Sequence, residues 1–409
     1  MSMGGGGDTR STRDLSALVE TFRQGTEYHE LAREIRTKTG FEDAFLPSSY
    51  SKLAAVSRGG PVVILSSDDV AKATHALIIL RPDGEPIPLP LSDVSYEDIR
   101  RRVASLAQLL ESCNVLRRQS VSESGRAGQP TSRRRSTSSR FNAILQWIWT
   151  KIVRPVLDIL AREGVSSGRL WWCPAGDFTR LPLHAAMPLD CPFIPSYTYT
   201  LESLVNARAQ KTIAKEKIDP GPLRILAKSK LSEVVEAANG CLDKPLFQVV
   251  KIEDAEARID TTLNAMTSSD IIHLACHGWK DGEQSLNSHL ILSDGNLQLR
   301  EILSAELSKP KFGFLSACQT ATGDIELANE SFHLAGGFMA AGLKGVIATL
   351  WSIADEDAPR MAEEVYRAIL TKDGMDPEKA AEGLHCAVRK MREDDLPPQR
   401  WIPFIHVGI

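Results

Sequence analysis

The chain has 409 residues, of which 43% are hydrophobic and 24% charged, and its formal net charge at pH 7 is −4. These are the proportions of a globular protein long enough for two or three domains. The small negative charge gives no indication of a nucleic-acid or membrane-surface partner, and no apolar run approaches the roughly 20 residues that a membrane span requires.

The cysteines indicate a reducing environment. There are seven of them, their spacing is irregular and no CxxC pair occurs, so a disulfide framework is not expected. The N-terminal stretch MSMGGGGDTRSTRD lacks the apolar core of a signal peptide. We therefore expect a cytoplasmic protein.

Residues 1–40 predict a flexible leader followed by a helix, because Leu15, Leu18, Val19 and Phe22 recur at helical spacing. The next segment, 41–212, shows a weak alternation of strand and helix patterns. The stretch RPDGEPIPLP at 81–90 predicts a turn. The predicted strands are 61–66, 75–81 and 168–174, with an alternating run at 194–200 that could form an edge strand, and the predicted helices are 97–117, 141–164 and 201–211.

Residues 117–140 differ in composition from everything around them. They include seven arginines and one glutamate, with a single valine and no aromatic residue. Such a segment cannot bury enough apolar surface to fold, so it predicts a disordered loop. A solvated insertion, a phosphorylated or nucleic-acid-binding segment and a cleavable activation loop all remain open, although the overall charge makes nucleic acid an improbable partner.

The segment 213–409, which follows a Pro- and Gly-containing boundary, alternates more clearly. Continuous apolar strands that alternate with helices predict a mostly parallel sheet covered by helices on both faces. The predicted strands are 223–229, 247–252, 271–278, 312–318 and 345–351, and the predicted helices are 231–239, 253–266, 330–343, 355–371 and 377–394.

Two successive strands of this second segment end in a reactive side chain. The strand IIHLAC ends in His277-Gly278, and the strand FGFLS ends in Ala317-Cys318. His277 and Cys318 are 41 positions apart, which leaves room for a crossover with an intervening hairpin. In open parallel sheets, functional residues cluster beyond the carboxyl ends of the strands. A thiol needs a nearby base to become a nucleophile, and His277 could serve. The backbone N–H groups of Gly278 and Cys318 are candidates for an oxyanion hole.

Each of these residues also has a structural alternative. A cysteine at the end of a buried strand is often a packed small hydrophobe, and a strand histidine is often a core residue. The segment HLACHG contains three potential metal ligands, His273, Cys276 and His277. Strand alternation separates Cys276 from the two histidines, and no second cluster supplies a fourth ligand. We therefore expect no metal or cofactor, and we expect His273 to be a core or supporting histidine.

Four motifs occur in this order in the second segment: HLACHG at 273–278, LSAC at 315–318, ESFHLAGGFMAAGLKGVIATLWSIADEDA at 330–358 and WIPFIHVGI at 401–409. Together they resemble the CHAT family of caspase-like cysteine peptidases, which is related to separases. Weaker similarities extend it upstream to about residue 40. It implies a caspase-like α/β fold, with 41–212 as a degenerate pseudo-caspase subdomain and 213–409 as the peptidase subdomain.

Carried over to this chain, the resemblance makes His277 the catalytic histidine, Cys318 the nucleophile and Gly278 the glycine beside the histidine. The implied function is a regulated cysteine endopeptidase that cuts proteins through a thioacyl intermediate and that could need an activating protein partner. The alternative is a non-catalytic caspase-like scaffold.

Separase-like relatives accept a basic residue before the cut, and LWSIADEDA resembles the segment that holds it. That similarity points to Asp355 or Asp357 as substrate-binding carboxylates, since a carboxylate can pair with a guanidinium in a fork. The alternative is that these acids form the first turn of helix 355–371, where they are favourable with the helix dipole.

Overall fold

The structure is a computed structural model. It describes residues 29–39, 46, 48–70, 72–113, 131–209, 223–227, 249–275, 277–279, 285–305, 307, 310–316, 330–354, 356–371 and 374–409. The predicted helix around Leu15–Phe22 and the predicted helix 231–239 lie outside these residues.

The chain separates into two compact units, Met1–Tyr50 and Ser51–Ile409. In the first, residues 29–36 form helix α1. The other helices are α2 (Tyr50–Ala54), α3 (Tyr96–Ser112), α4 (Thr131–Ile148), α5 (Arg154–Arg162), α6 (Leu201–Ala209), α7 (Ile259–Thr267), α8 (Leu299–Ser304), α9 (Glu330–Ala340), α10 (Asp357–Ile369), α11 (Ala380–Glu393) and α12 (Pro398–Trp401). Among the described residues, no helix is both long enough and apolar enough to cross a membrane.

The strands belong to the second unit. They are β1 (Val62–Asp68), β2 (Ala73–Ile79), β3 (Ile87–Pro90), β4 (Gly168–Pro174), β5 (Phe193–Tyr197), β6 (Leu223–Ala227), β7 (Val249–Ile252), β8 (Ile271–Ala275), β9 (His277–Trp279), β10 (His289–Ile291), β11 (Asn296–Gln298), β12 (Phe312–Leu315), β13 (Gly345–Thr349), β14 (Leu370–Thr371), β15 (Gly374–Met375) and β16 (Phe404–Gly408).

The main sheet has eleven strands in the order β3-β2-β1-β4-β5-β16-β13-β12-β8-β6-β7. Only three pairings among these strands are antiparallel, namely β1 with β2, β2 with β3 and β13 with β16. The mostly parallel α/β fold predicted from the alternating apolar runs is thereby confirmed.

The sheet contains two sets of parallel strands that run in opposite directions. One set is β1, β4 and β5, and the other is β6, β7, β8, β12 and β13. Strand β16 lies between them, parallel to β5 and antiparallel to β13. The carboxyl ends of the two sets therefore lie at opposite edges of the sheet. The predicted division at 212–213 falls within undescribed residues and stays a prediction, although one sheet unites strands from both proposed subdomains.

Apolar side chains are buried on both faces of the sheet. The neighbours Trp171 and Trp172 belong to two different clusters of buried residues, as strand alternation requires. Leu204 of α6 packs in the cluster with Trp171, and Tyr366 of α10 packs in the cluster with Trp172. Helices thus cover both faces, as predicted.

Local signals explain where some helices begin. Helix α3 begins after Ser95, whose hydroxyl accepts a hydrogen bond from the Asp98 N–H while the Asp98 carboxylate accepts one from the Ser95 N–H. This reciprocal capping stabilises the first turn. Pro155 interrupts the predicted helix 141–164, where a π-helical turn, Trp149–Val153, separates α4 from α5. Proline is tolerated there because it stands in the first turn of α5.

Three local predictions are wrong. The predicted loop 117–140 is contradicted over 131–140, which belongs to helix α4, because arginine has a good helix propensity and the helix is anchored further on by buried Phe141 and Ile144. Residues 117–130 lie outside the described residues. The predicted turn at 81–90 contains the four-residue strand β3, whose prolines are tolerated because β3 is an edge strand. The predicted edge strand at 194–200 is β5, which lies inside the sheet between β4 and β16.

Candidate active site

Strands β8 and β12 end side by side at one edge of the sheet. Their parallel register places His273 beside Phe314 and Leu274 beside Leu315. The N–H of Ser316 then donates to the Leu274 carbonyl, with an N–O distance of 2.9 Å. The two strands that precede the predicted catalytic residues in the sequence therefore finish together.

His277 follows β8 after a single residue and begins the short strand β9. Cys318 comes three positions after the end of β12 in the sequence and lies outside the described residues. The backbone of His277 is thus at the predicted edge of the sheet. The pairing of His277 with Cys318 stays a prediction.

Strand β9 belongs to a small three-stranded antiparallel sheet, with β10 in the middle and β11 at the other edge. His277 pairs with Ile291, and Gly278 pairs with Leu290. Strands β10 and β11 form a hairpin. In the sequence this hairpin lies between the two predicted catalytic residues, as the spacing of 41 positions allowed.

Among the residues that the structure describes, Gly278 has room for a side chain. A Cβ atom there would lie 3.6 Å from the His289 carbonyl oxygen and 4.0 Å from a methyl carbon of Leu290, which are ordinary contacts. The described neighbours of Gly278 therefore do not require glycine at this position. The predicted role of Gly278 beside a substrate carbonyl remains a prediction.

His273 is completely buried beneath this edge of the sheet. Its Nδ1 lies 2.7 Å from the hydroxyl oxygen of Tyr366, and its Nε2 lies 3.2 Å from the hydroxyl oxygen of Ser316. The imidazole stacks on the ring of Phe314, with centroids 4.6 Å apart. Burial lowers the pKa of His273 to about 3, so its ring is neutral at physiological pH. The expectation of a core or supporting histidine agrees with these contacts.

Asp357 is the first residue of helix α10, and its side chain is completely buried. The guanidinium of Arg400 donates from Nε to both carboxylate oxygens at 3.0 Å, and its Nη2 also contacts Oδ1. This hydrogen bond to Asp357 raises the pKa of Arg400. The position of Asp357 matches the alternative in which it belongs to the first turn of the helix. The carboxylate of Asp357 already has a cationic partner in Arg400. Substrate binding by Asp357 stays a prediction that would require exchange of that partner.

The segment after β13, which holds the proposed substrate carboxylates, is attached to the region near the C-terminal strand. The N–H of Leu350 donates to the Pro403 carbonyl at 2.8 Å, and the indole N–H of Trp351 donates to the Gln399 carbonyl at 3.3 Å. Glu356 makes a further ion pair with Arg400 at 2.6 Å. Asp355 lies outside the described residues, so its role also stays a prediction.

Sequence reasoning did not identify Tyr366, Ser316 or Arg400 as residues near the site. Tyr366 is 93 positions from His273, and Arg400 is 43 positions from Asp357. No periodicity or motif links positions so far apart. The one available signal was the serine in LSAC, two residues before the predicted nucleophile.

Comparison with solved structures shows a separase-like fold. Two crystal structures of the Saccharomyces cerevisiae separase–securin complex match with TM-scores of 0.54 and 0.55, each at 14% sequence identity. The match covers 88% of this chain but only 31% and 30% of theirs, so this chain spans under a third of their length. No curated protein matches it.

The family comparison covers most of the chain. Residues 142–409 match the model of the CHAT domain, which is well over half of the 409 residues. That range includes β4 and β5, the whole of the second set of parallel strands, the predicted dyad and the central strand β16. The caspase-like α/β fold predicted from the motifs is confirmed, and the chain belongs to the CHAT-domain family.

Proposed function

We propose that this protein is a cysteine endopeptidase that hydrolyses protein substrates through His277 and Cys318. The observation that carries the proposal is the register of β8 and β12, whose carboxyl ends meet at Leu274 and Ser316. The histidine and the cysteine follow these two strand ends by a few residues each. Membership of a family with a caspase-like fold supports the same chemistry.

In the proposed reaction, His277 takes the proton of the Cys318 thiol, and the thiolate attacks the carbonyl carbon of the scissile peptide bond. His277 then protonates the leaving amine, which produces a thioacyl enzyme. Water, activated by the same histidine, attacks the thioester and releases the acid and the thiol. The N–H groups of Gly278 and Cys318 are proposed to stabilise the oxyanion that forms in each step.

We propose that cleavage follows arginine or lysine, with Asp355 as the first candidate for the carboxylate that binds the basic side chain. Asp357 is the weaker candidate because its carboxylate is buried against Arg400.

We also propose that the protein acts in the cytoplasm, where a thiol nucleophile stays reduced, and that a protein partner regulates it. Both solved structures named above are complexes of separase with a second protein, securin. For this chain, the partner remains part of the proposal.

The test is cleavage of a fluorogenic peptide library in which every amino acid is placed before the scissile bond. Wild type, Cys318→Ala and His277→Ala are compared. Cleavage that both variants lose, with arginine or lysine preferred, is the expected result. Wild-type cleavage that persists in Cys318→Ala contradicts the proposed nucleophile. If no peptide is cleaved and Cys318 shows no more reactivity than a free thiol, the scaffold alternative is favoured.

A further inference from the structure

Three side chains form a hydrogen-bonded chain that joins the two strands of the predicted dyad to helix α10. Tyr366 of α10 contacts His273 of β8, and His273 contacts Ser316 at the end of β12, at 2.7 and 3.2 Å. The hydroxyl of Ser316 also donates to the Leu274 carbonyl at 3.2 Å. We call Tyr366, His273 and Ser316 the supporting triad.

The hydrogen-bond donors and acceptors of the supporting triad indicate which imidazole nitrogen of His273 carries the proton. If the imidazole proton is on Nε2, it is donated to Ser316, Ser316 donates to Leu274, and Tyr366 donates to Nδ1, so every donor has an acceptor. If the proton is on Nδ1, Tyr366 must accept, and no other acceptor among the described residues contacts its buried hydroxyl. A buried donor without a partner is unfavourable. The Nε2–H tautomer is therefore the one that the structure favours.

The surroundings hold the supporting triad in one arrangement. The side chains of His273 and Tyr366 are completely buried. The Phe314 ring lies against both, with centroid distances of 4.6 Å to His273 and 6.3 Å to Tyr366. The neutral state of His273 agrees with its low pKa. Close packing of this kind limits the rotamers that each side chain can adopt.

We propose that His273, Tyr366 and Ser316 are positioning residues that set the spacing between the strand leading to His277 and the strand leading to Cys318. The triad couples Leu274, three residues before His277, to Ser316, two residues before Cys318. Through Tyr366, it also couples Leu274 and Ser316 to α10, the helix that follows the proposed substrate segment. This inference rests on the proposed peptidase function, because the dyad is what the triad positions. Small displacements of reacting groups have large effects on rate.

The experiment compares two tyrosine-to-phenylalanine variants of similar chemistry. Tyr366→Phe removes the hydroxyl that contacts His273. Tyr197→Phe is the matched control, because its hydroxyl contacts another histidine, His184, at 2.8 Å. Three strands separate β5, which carries Tyr197, from β8. Ser316→Ala removes the other end of the triad, and Ser316→Thr restores a hydroxyl.

Two readouts are measured for each variant. The first is kcat and KM for the best library peptide, and the second is the rate at which iodoacetamide alkylates Cys318 as a function of pH, followed by mass spectrometry. Thermal unfolding reports whether each variant folds. Imidazole nitrogen chemical shifts in wild type and Tyr366→Phe report the His273 tautomer, which does not depend on any activity.

We expect Tyr366→Phe and Ser316→Ala to lower kcat and the alkylation rate about 10-fold each, with KM nearly unchanged. Ser316→Thr should recover most of the lost kcat and alkylation rate, and Tyr197→Phe should retain wild-type values of these two quantities. His273 should be a neutral Nε2–H tautomer in wild type.

The inference is overturned if Tyr366→Phe matches Tyr197→Phe in kcat and in alkylation, or if His273 is protonated on Nδ1. The proposed function fails in a different way, when wild type and Cys318→Ala cleave the library equally. If wild type cleaves no peptide while alkylation still falls selectively in Tyr366→Phe, the positioning role is supported without the peptidase.

Discussion

The carboxylate of Asp357 is completely buried against the guanidinium of Arg400, whose Nε lies 3.0 Å from both carboxylate oxygens. Asp357 begins helix α10, and Arg400 belongs to helix α12, just before the central strand β16. The ion pair therefore joins the segment that follows β13 to the segment that precedes β16. A buried pair of this kind is expected to matter most when only one partner is removed.

Asp357→Asn should lower the free energy of unfolding by about 2 kcal/mol. Arg400 loses its hydrogen bonds to a buried carboxylate but keeps its ion pair with the more exposed Glu356. The matched control is Glu393→Gln, which also turns a carboxylate into an amide and removes an ion pair with Arg389 in which both side chains are about half exposed. Exposed pairs contribute about 0.5 kcal/mol. Urea unfolding of both variants measures the difference. Equal losses in the two variants would contradict the structural role of Asp357.

Asp355→Asn addresses substrate choice. If Asp355 binds the basic residue before the cut, the variant should lose its preference for arginine and lysine by about 10-fold in kcat/KM, while cleavage of other sequences is retained. The library measurement tests the preference, and urea unfolding of Asp355→Asn shows whether a change in preference is accompanied by a change in stability. An unchanged preference in Asp355→Asn would remove this residue from the proposed pocket.

Acid should destabilise the protein through its buried histidines. His273 and His406 are almost completely buried, and burial lowers the pKa of His273 to about 3 and that of His406 well below its usual value. In the unfolded chain both take up a proton as the pH falls through about 6.5, whereas in the folded chain both stay neutral. Stability is therefore fully present above about pH 6.5 and is lost progressively below it.

Each of these histidines should contribute a loss of about 1.4 kcal/mol per pH unit below pH 6, in addition to the effect of the carboxylates. Urea unfolding between pH 7.5 and 4.5 measures the slope, and His273→Gln should reduce it by about one proton. Because the slope is compared and not the absolute stability, a destabilised variant remains informative. An identical slope in wild type and His273→Gln would show that His273 is not buried and neutral.

The parallel sheet could be predicted because its strands are buried on both faces. All four residues of β12 are buried, as are all five of β13, and such strands appear in a sequence as continuous apolar runs. Strand β16 is equally buried, but it was recognised only as part of a family motif. Its position between β5 and β13 depends on contacts between distant parts of the chain, which no local pattern contains.

The predictions that failed did so because tertiary contacts, which no local sequence pattern contains, decided the structure. Polar and arginine-rich residues at 131–140 are helical because the buried residues that follow them anchor α4, so tertiary packing overrode composition. Strand β3 contains two prolines and, among the described strands, pairs with β2 alone. In the site, His273 was recognised as a supporting residue, but its partner Tyr366 could not be, because α10 and β8 are brought together only by folding.

Gly278→Ala tests the predicted oxyanion hole separately from the fold. Among the described residues, an added methyl group would make ordinary contacts, 3.6 Å from the His289 carbonyl oxygen and 4.0 Å from Leu290, so unfolding should change by less than about 1 kcal/mol. A substrate carbonyl approaching the Gly278 N–H would meet the new methyl group. We therefore expect kcat/KM to fall about 100-fold, comparable to the loss of one oxyanion donor.

The control for Gly278→Ala is Gly84→Ala, in the turn before β3, where an added Cβ would lie 3.4 Å from the Cβ of Arg81. Both variants should fold with nearly wild-type stability, and only Gly278→Ala should lose activity. Cys318 in Gly278→Ala should still react with iodoacetamide at the wild-type rate, because the methyl group obstructs the substrate carbonyl and not the thiol. Full peptidase activity in Gly278→Ala would mean that the substrate does not approach this part of β9, and the oxyanion donor would then have to be sought elsewhere.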